Sequence, residues 1–309
     1  MRNTTDVLRR GFDSTLANWP LIAIRIAESV LFVMIVVASI FAAIVPVGIA
    51  ASFSTFRNAD EPSEAIAAFV TEHWPLIVYI FLVVLIVTIV LIAIHSFVEA
   101  GSARVFVDAE RNATGDAPKR DAFRAFNMDR WMQGGRASWW TVFWIYNIVW
   151  GIGGLIFLVP LILTLAAMFM VTEAGGRLAI ACSGLALTFL VVIPVSMVMA
   201  LVSEKAITIA VARAASAGDA VRAGWSEIKR DFGRHFAVAF IVFAIALGGA
   251  MAISSLMTPM SIVRDVAHAP LTSIAFAPAQ IVSSFAQSVF SAAVGLWFLA
   301  AYVGLTEEK

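Results

Sequence analysis

The chain has 309 residues, of which 61% are hydrophobic and only 14% charged, and its formal net charge is zero. A soluble domain carries about 25% charged residues, so this composition excludes a water-soluble globule. The zero net charge removes the electrostatic case for nucleic acid. The single cysteine, Cys182, excludes an intrachain disulfide and a cysteine-built metal site.

In chain order, the first segment is polar, and the apolar run behind it is too long for the h-region of a signal peptide, so no leader is expected. A spanning helix needs about 20 apolar residues. Stretches at 22–50, 75–98, 138–170, 178–203, 236–256 and 277–303 qualify. The first and third exceed the requirement, so tilt or kinking is expected, with Pro46, Pro160 and Pro194 (in the fourth) as kink points. The expected fold class is all-α: a polytopic membrane protein with six transmembrane helices. It forms one membrane domain over 1–309, built as hairpins 1–98, 99–203 and 204–309.

Seventeen of the 21 Lys and Arg residues fall in the N-terminal segment, the 99–137 and 204–235 loops and the tail. Only Arg57, Arg177 and Arg264 fall on the other side, and Arg25 lies at the start of the first span. That split predicts both termini on the cytoplasmic side. Trp19, Trp74, Trp139, Trp140 and Trp297 lie near predicted span ends, as an aromatic belt requires.

A basic, aromatic-tagged segment precedes each hairpin: VLRRGFDSTLANWP (7–20), DAFRAFNMDRWMQGGRASWW (121–140) and DAVRAGWSEIKRDFGRHF (219–236). In the third, Val221, Trp225, Ile228, Phe232 and Phe236 recur at helical steps, with Arg222, Lys229, Arg230 and Arg234 around them. Basic amphipathic helices lying in the membrane interface are expected, their apolar faces toward lipid or the bundle. Arg9, Arg10, Arg124, Arg130, Arg222, Lys229, Arg230 and Arg234 are the candidate contacts to anionic lipid headgroups.

The paired spans, the opening FDSTLANWPLIAIR (12–25) and the segment DAVRAGWSEIKRDFGRHFAVAFIVFAIA (219–246) resemble a group of bacterial six-span inner-membrane proteins. That group includes the membrane domain of some glycerophosphoryl diester phosphodiesterases. The resemblance implies a multi-pass protein of the bacterial inner membrane. It does not imply the phosphodiesterase reaction, which resides in a separate soluble domain, and only about six residues follow the last span here.

Within the spans, Gln280, Ser284, Gln287 and Ser291 are spaced to share one helix face, flanked by Ser288 and followed by Gly295. Such a face avoids lipid, so it lines a polar path or hydrogen-bonds to another helix, with close packing at Gly295. Arg25 and Glu28, one turn apart, form a candidate interfacial ion pair. His95 and Glu99 share a face at the end of the second span. Asn147 is expected to cap or bond across helices, and Gly151, Gly153 and Gly154 to pack closely. Asp60, Glu61, Glu64 and Glu72 in one outer loop, and Arg264, Asp265 and His268 in the other, are expected to be solvated.

No nucleophile–base set, metal spacing or cofactor motif is visible, and no cofactor is expected. The residues therefore favour a non-enzymatic integral membrane protein: a scaffold, assembly partner or modulator in membrane-lipid homeostasis. Its partners would be membrane lipids and a protein of an envelope complex, not nucleic acid. A small transporter or channel using the polar face of the last span is the alternative. An intramembrane enzyme acting on lipid is the third reading.

Overall fold

The computed structural model describes residues 2–53, 71, 73–115, 118–171, 173–267 and 270–308. Asp60, Glu61, Glu64, Glu72 and His268 lie outside the described residues. The structure is all-helical, with no strand among the described residues. Its helices are α1 (Thr4–Ala17), α2 (Pro20–Phe53), α3 (Trp74–Asn112), α4 (Met128–Met170), α5 (Ala174–Arg213), α6 (Ala217–Arg230), α7 (Phe232–Ala267) and α8 (Pro270–Thr306). The six long ones, α2 to α5, α7 and α8, are long and apolar enough to cross a membrane. Proline does not end them: Pro46, Pro160 and Pro194 all lie inside helices.

Local chemistry sets the helix starts. Asn3, Asn127 and Ser216 cap α1, α4 and α6 by accepting the backbone N–H of Asp6, Asp129 and Asp219. Each of those aspartates places negative charge in a first turn, where the helix dipole favours it. Ala214, at φ 51°, turns the chain out of α5 in the left-handed conformation.

The chain divides into two compact units, Arg25–His95 and a larger one of Met1–Ile24 with Ser96–Lys309. In the smaller unit α2 and α3 run antiparallel: His95 meets Glu28, while the Tyr79 hydroxyl donates to Ala42 O at 3.3 Å. Val33, Met34, Phe41, Phe81, Val84 and Ile86 of this hairpin are exposed. Such a surface is costly in water and costs nothing in hydrocarbon.

In the larger unit α4 and α5 pair antiparallel, as do α7 and α8. Gly153 packs on Met199, Gly184 on Thr164 and Gly249 on Phe290. Gly151 and Gly154, expected to pack like Gly153, have open space beside them. Asn147 donates to Phe143 O, one turn back in its own helix. The core lies toward the charged ends of the helices: Phe106, Ile145, Leu201, Ile207, Leu296 and Leu299 are fully buried there. Farther along the same helices Leu155, Leu163, Phe189, Leu190, Met251 and Phe285 are exposed.

The two short helices join that core. On α1, Gly11 brings its backbone against Ala301 of α8, at 2.9 Å from a modest added Cβ to Ala301 N, and the Trp297 indole donates to Leu8 O at 2.8 Å. On α6, Gly224 approaches the Ala206 backbone of α5 in the same way. The second basic segment forms no helix of its own. A 3₁₀ turn at Arg120–Phe123 leads through extended residues into α4. The reason is Asn18, whose Oδ1 accepts the backbone N–H groups of Ala125 and Phe126 at 2.9 and 2.8 Å. Those donors are thereby taken away from helix formation.

Candidate functional site

The basic segments and the ends of α3, α5, α7 and α8 converge on one charged region of the larger unit. At its centre are buried or half-buried ion pairs. Arg10 donates from Nε and Nη2 to Glu110 Oε1 at 3.0 and 2.8 Å, and both side chains are only 6% exposed. Arg10 also donates to Ala113 O at 2.9 Å and lies over the Phe123 ring. Arg111 grips Glu307 with two bonds, at 2.8 and 2.9 Å. Arg234 grips Glu308 likewise, at 2.7 and 3.1 Å, and the backbone N–H of Arg2 donates to the same carboxylate. Two-pronged guanidinium–carboxylate pairs fix orientation as well as charge.

Beside them Lys205, fully buried, donates to Thr306 Oγ1 at 3.0 Å and pairs with Glu227 Oε2 at 2.9 Å. Arg213 reaches the other oxygen of Glu227 at 3.0 Å. Burial raises the pKa of the Glu227 carboxyl, but Lys205 and Arg213 outweigh it and hold the group below its ordinary value. Glu308 behaves the same way: burial raises it, and Arg234 with the Arg2 N–H pulls it lower still.

These pairs decide which cations remain for a ligand. Arg10, one of the eight candidate headgroup contacts, is committed to Glu110, and a second, Arg234, spends both Nη groups on Glu308 and keeps only its Nε–H unbonded. The other six, Arg9, Arg124, Arg130, Arg222, Lys229 and Arg230, are exposed. The Arg222 side chain is 81% exposed and paired only along its own helix with Asp219. On α6 the buried face is Ala220, Gly224 and Ile228. Trp225 turns outward with the Lys229 ammonium 5.4 Å above its ring, and Phe232 is exposed beside it. Aromatic rings and cations on one outward surface are the make-up of a membrane-interface anchor.

In the smaller unit Arg25 and Glu28 pair at 2.9 Å, and His95 Nδ1 lies 2.7 Å from the other oxygen of Glu28. Arg25 Nη1 is also 3.2 Å from His95 Nδ1. Glu28 is 7% exposed, so one buried carboxylate is shared by the Arg25 guanidinium and the His95 ring within the hairpin. In the last span Ser284, Ser288 and Ser291 are exposed, Gln287 is half-buried, and Ser288 Oγ donates to Ser284 O at 2.8 Å. Gln280 belongs to α8. Gly295, expected to pack closely, has open space beside it.

Sequence reasoning did not single out Asn18, Lys205 or His235, all buried. The usable signal was a polar residue at the border between a basic segment and an apolar run. Counted as loop charge, such a residue is read as solvated. Among the described residues no group of three or more His, Cys, Asp or Glu could hold a metal ion. Comparison with protein-family models, curated proteins and solved structures finds no match.

Proposed function

We propose that the chain is a non-enzymatic multi-pass protein of the bacterial inner membrane that serves as a scaffold, assembly partner or modulator in membrane-lipid homeostasis. Its basic segments face the cytoplasmic leaflet and hold anionic phospholipid headgroups there. The observation that carries this reading is the outward surface of α6 and its flanks, where Trp225 and Phe232 are exposed beside Arg222, Lys229 and Arg230. Each such cation near an anionic surface contributes about 1 kcal/mol. Arg9 and Arg124 extend the surface along the other two basic segments.

The test is lipid selectivity in reconstituted bilayers of mixed anionic and zwitterionic phospholipid. A spin-labelled anionic lipid should associate with the protein in preference to its zwitterionic analogue, and salt should weaken that preference. Changing Arg124, Arg222 and Lys229 to Gln should lower it severalfold without altering helical content. Equal association of both lipids with the native protein would overturn the reading.

A further inference from the structure

An apolar groove of about 790 Å³ runs along α5, α7 and α8, within the volume range of ligand sites. Its wall includes Ile193 and Leu201 of α5, Phe236 and Phe243 of α7, and Phe298 of α8, with Ser291 and Gly295 opening its floor. Ile193, Phe240 and Phe243 are exposed, so the groove opens sideways onto the bilayer. On α7 it extends from Phe236 to Ala246, about 15 Å at the helical rise. That equals about half of a 30 Å hydrocarbon core, the depth of one leaflet.

The charged ends of the same three helices, together with the end of α6, line a small polar pocket of about 170 Å³. Lys205 stands one turn beyond Leu201, His235 is next to Phe236, and Thr306 lies two turns beyond Phe298. Four Lys or Arg side chains line the pocket against three carboxylates, leaving one positive charge in excess. The carboxylates Glu227 and Glu308 are taken by Lys205, Arg213 and Arg234, whereas Arg230 has no ion-pair partner among the described residues. His235 is 5% exposed, its Nδ1 bonds Asp231 O at 2.9 Å, and its Nε2 is buried with no hydrogen-bond partner. Arg234 Nε is unbonded in the same way. The unused Arg234 Nε–H is costly when buried, and a phosphate oxygen would satisfy it, whereas His235 Nε2, an acceptor once Nδ1–H donates to Asp231 O, offers a phosphate nothing.

We infer that this groove and pocket form a discrete binding site for one membrane phospholipid, an acyl chain lying along α5, α7 and α8 and the phosphodiester seated at Arg230 and the Nε–H of Arg234. A singly charged phosphodiester matches the single excess cation, and an amphiphile matches an apolar groove with a polar pocket one helical turn beyond it on α5. The site rests on the lipid-holding role proposed above and gives it a specific address. It differs from the surface of Arg124, Arg222 and Lys229, which contacts lipids collectively.

Native mass spectrometry of the full chain in detergent tests it, with an anionic diacyl phospholipid as probe. A one-to-one lipid adduct should survive delipidation. Diacylglycerol, which has the chains without the phosphate, and inorganic phosphate, which has the charge without the chains, should not be retained. Arg230→Gln should lower retention about tenfold, the loss expected for a charge-assisted hydrogen bond. Gly295→Trp should abolish retention while the protein folds, because a Cβ there meets nothing within 4 Å. The triple change of Arg124, Arg222 and Lys229 to Gln should leave the adduct intact while lowering bilayer selectivity, so the two ideas fail separately. The site is overturned if the native chain holds no adduct. It is also overturned if both Arg230→Gln and Gly295→Trp retain the adduct with unchanged melting, if diacylglycerol or phosphate alone binds as well, or if the groove closes in a dimer of the chain.

Discussion

Asn18 joins three parts of the larger unit through one side-chain amide. Its Nδ2 donates to Ser14 O and Phe123 O, both at 2.8 Å, and its Oδ1 takes the N–H groups of Ala125 and Phe126. No other residue type offers two donors and a two-pronged acceptor at that length. Asn18→Leu should therefore cost about 2–4 kcal/mol, since it strands several part-buried backbone groups at about 1–3 kcal/mol each. Thermal unfolding in detergent reads this directly, and an unchanged melting temperature would show that the amide is not structural. Two ionised carboxylates elsewhere in the same unit make a second prediction, for pH. Glu227 and Glu308 titrate below the ordinary 4.5 in the folded chain. Their contribution is thus fully present above that value and lost as pH falls through the lower folded values. The melting temperature should hold from neutral pH to about 5 and fall below it. Glu308→Gln should lower the melting temperature at neutral pH and flatten the acid slope. An acid slope identical to that of the native protein would remove this pair from the account.

At the scale of the element, α6 shows what was legible and what was not. Its existence and its basic character follow from the sequence, as do the six spans, whereas its cap at Ser216 lies three residues before the segment read there. The apolar stripe read through Val221, Trp225, Ile228, Phe232 and Phe236 shares only Ile228 with its buried face. The helix ends at Arg230, so Phe232 and Phe236 belong to α7, and the buried positions are Ala220, Gly224 and Ile228. A periodicity weighted toward large apolar residues misses the small residues that make the close contact. In a membrane, lipid is as good a neighbour for Trp as another helix, and close helix contact is won by small residues. The same logic places Gly11 of α1 against Ala301, whereas Gly295 has open space beside it. The ion pairs were illegible for another reason: charges near span ends are normally solvated, and only the fold brings Arg10 to Glu110 or Arg234 to Glu308. Two neighbouring substitutions separate the faces of α6. Gly224→Leu should destabilise by about 1–3 kcal/mol through overpacking against the Ala206 backbone. Trp225→Leu should leave melting nearly unchanged and weaken the preference for anionic lipid. The reverse pattern in a melting and lipid-association assay would place the packed face where the large residues are.

For the whole molecule, the six helices long and apolar enough to cross a membrane require the two termini to lie on one side if all six cross. The hairpins agree with that, because each is an antiparallel pair whose charged ends lie together. The larger unit also concentrates its burial at the charged end and exposes the remainder of its helices. Such a distribution suits a protein whose interior work is done near one leaflet, where charge pairs hold the helix ends, and whose remaining length serves mainly to cross the hydrocarbon. The proposed orientation puts that end in the cytoplasm, since translocating a short, highly charged loop is disfavoured. Single cysteines test the assignment. Cys182, the only native cysteine, is replaced by Ser, and Ser226→Cys or Glu173→Cys is introduced, both at exposed positions. Ser226 lies on α6 at the charged end, and Glu173 lies at the start of α5, a full span away. A membrane-impermeant maleimide added to intact cells should label only the cysteine at 173, and added to inverted membrane vesicles only the one at 226. Labelling of position 226 from outside would invert the molecule. The basic surface and the phospholipid site would then belong to the opposite leaflet.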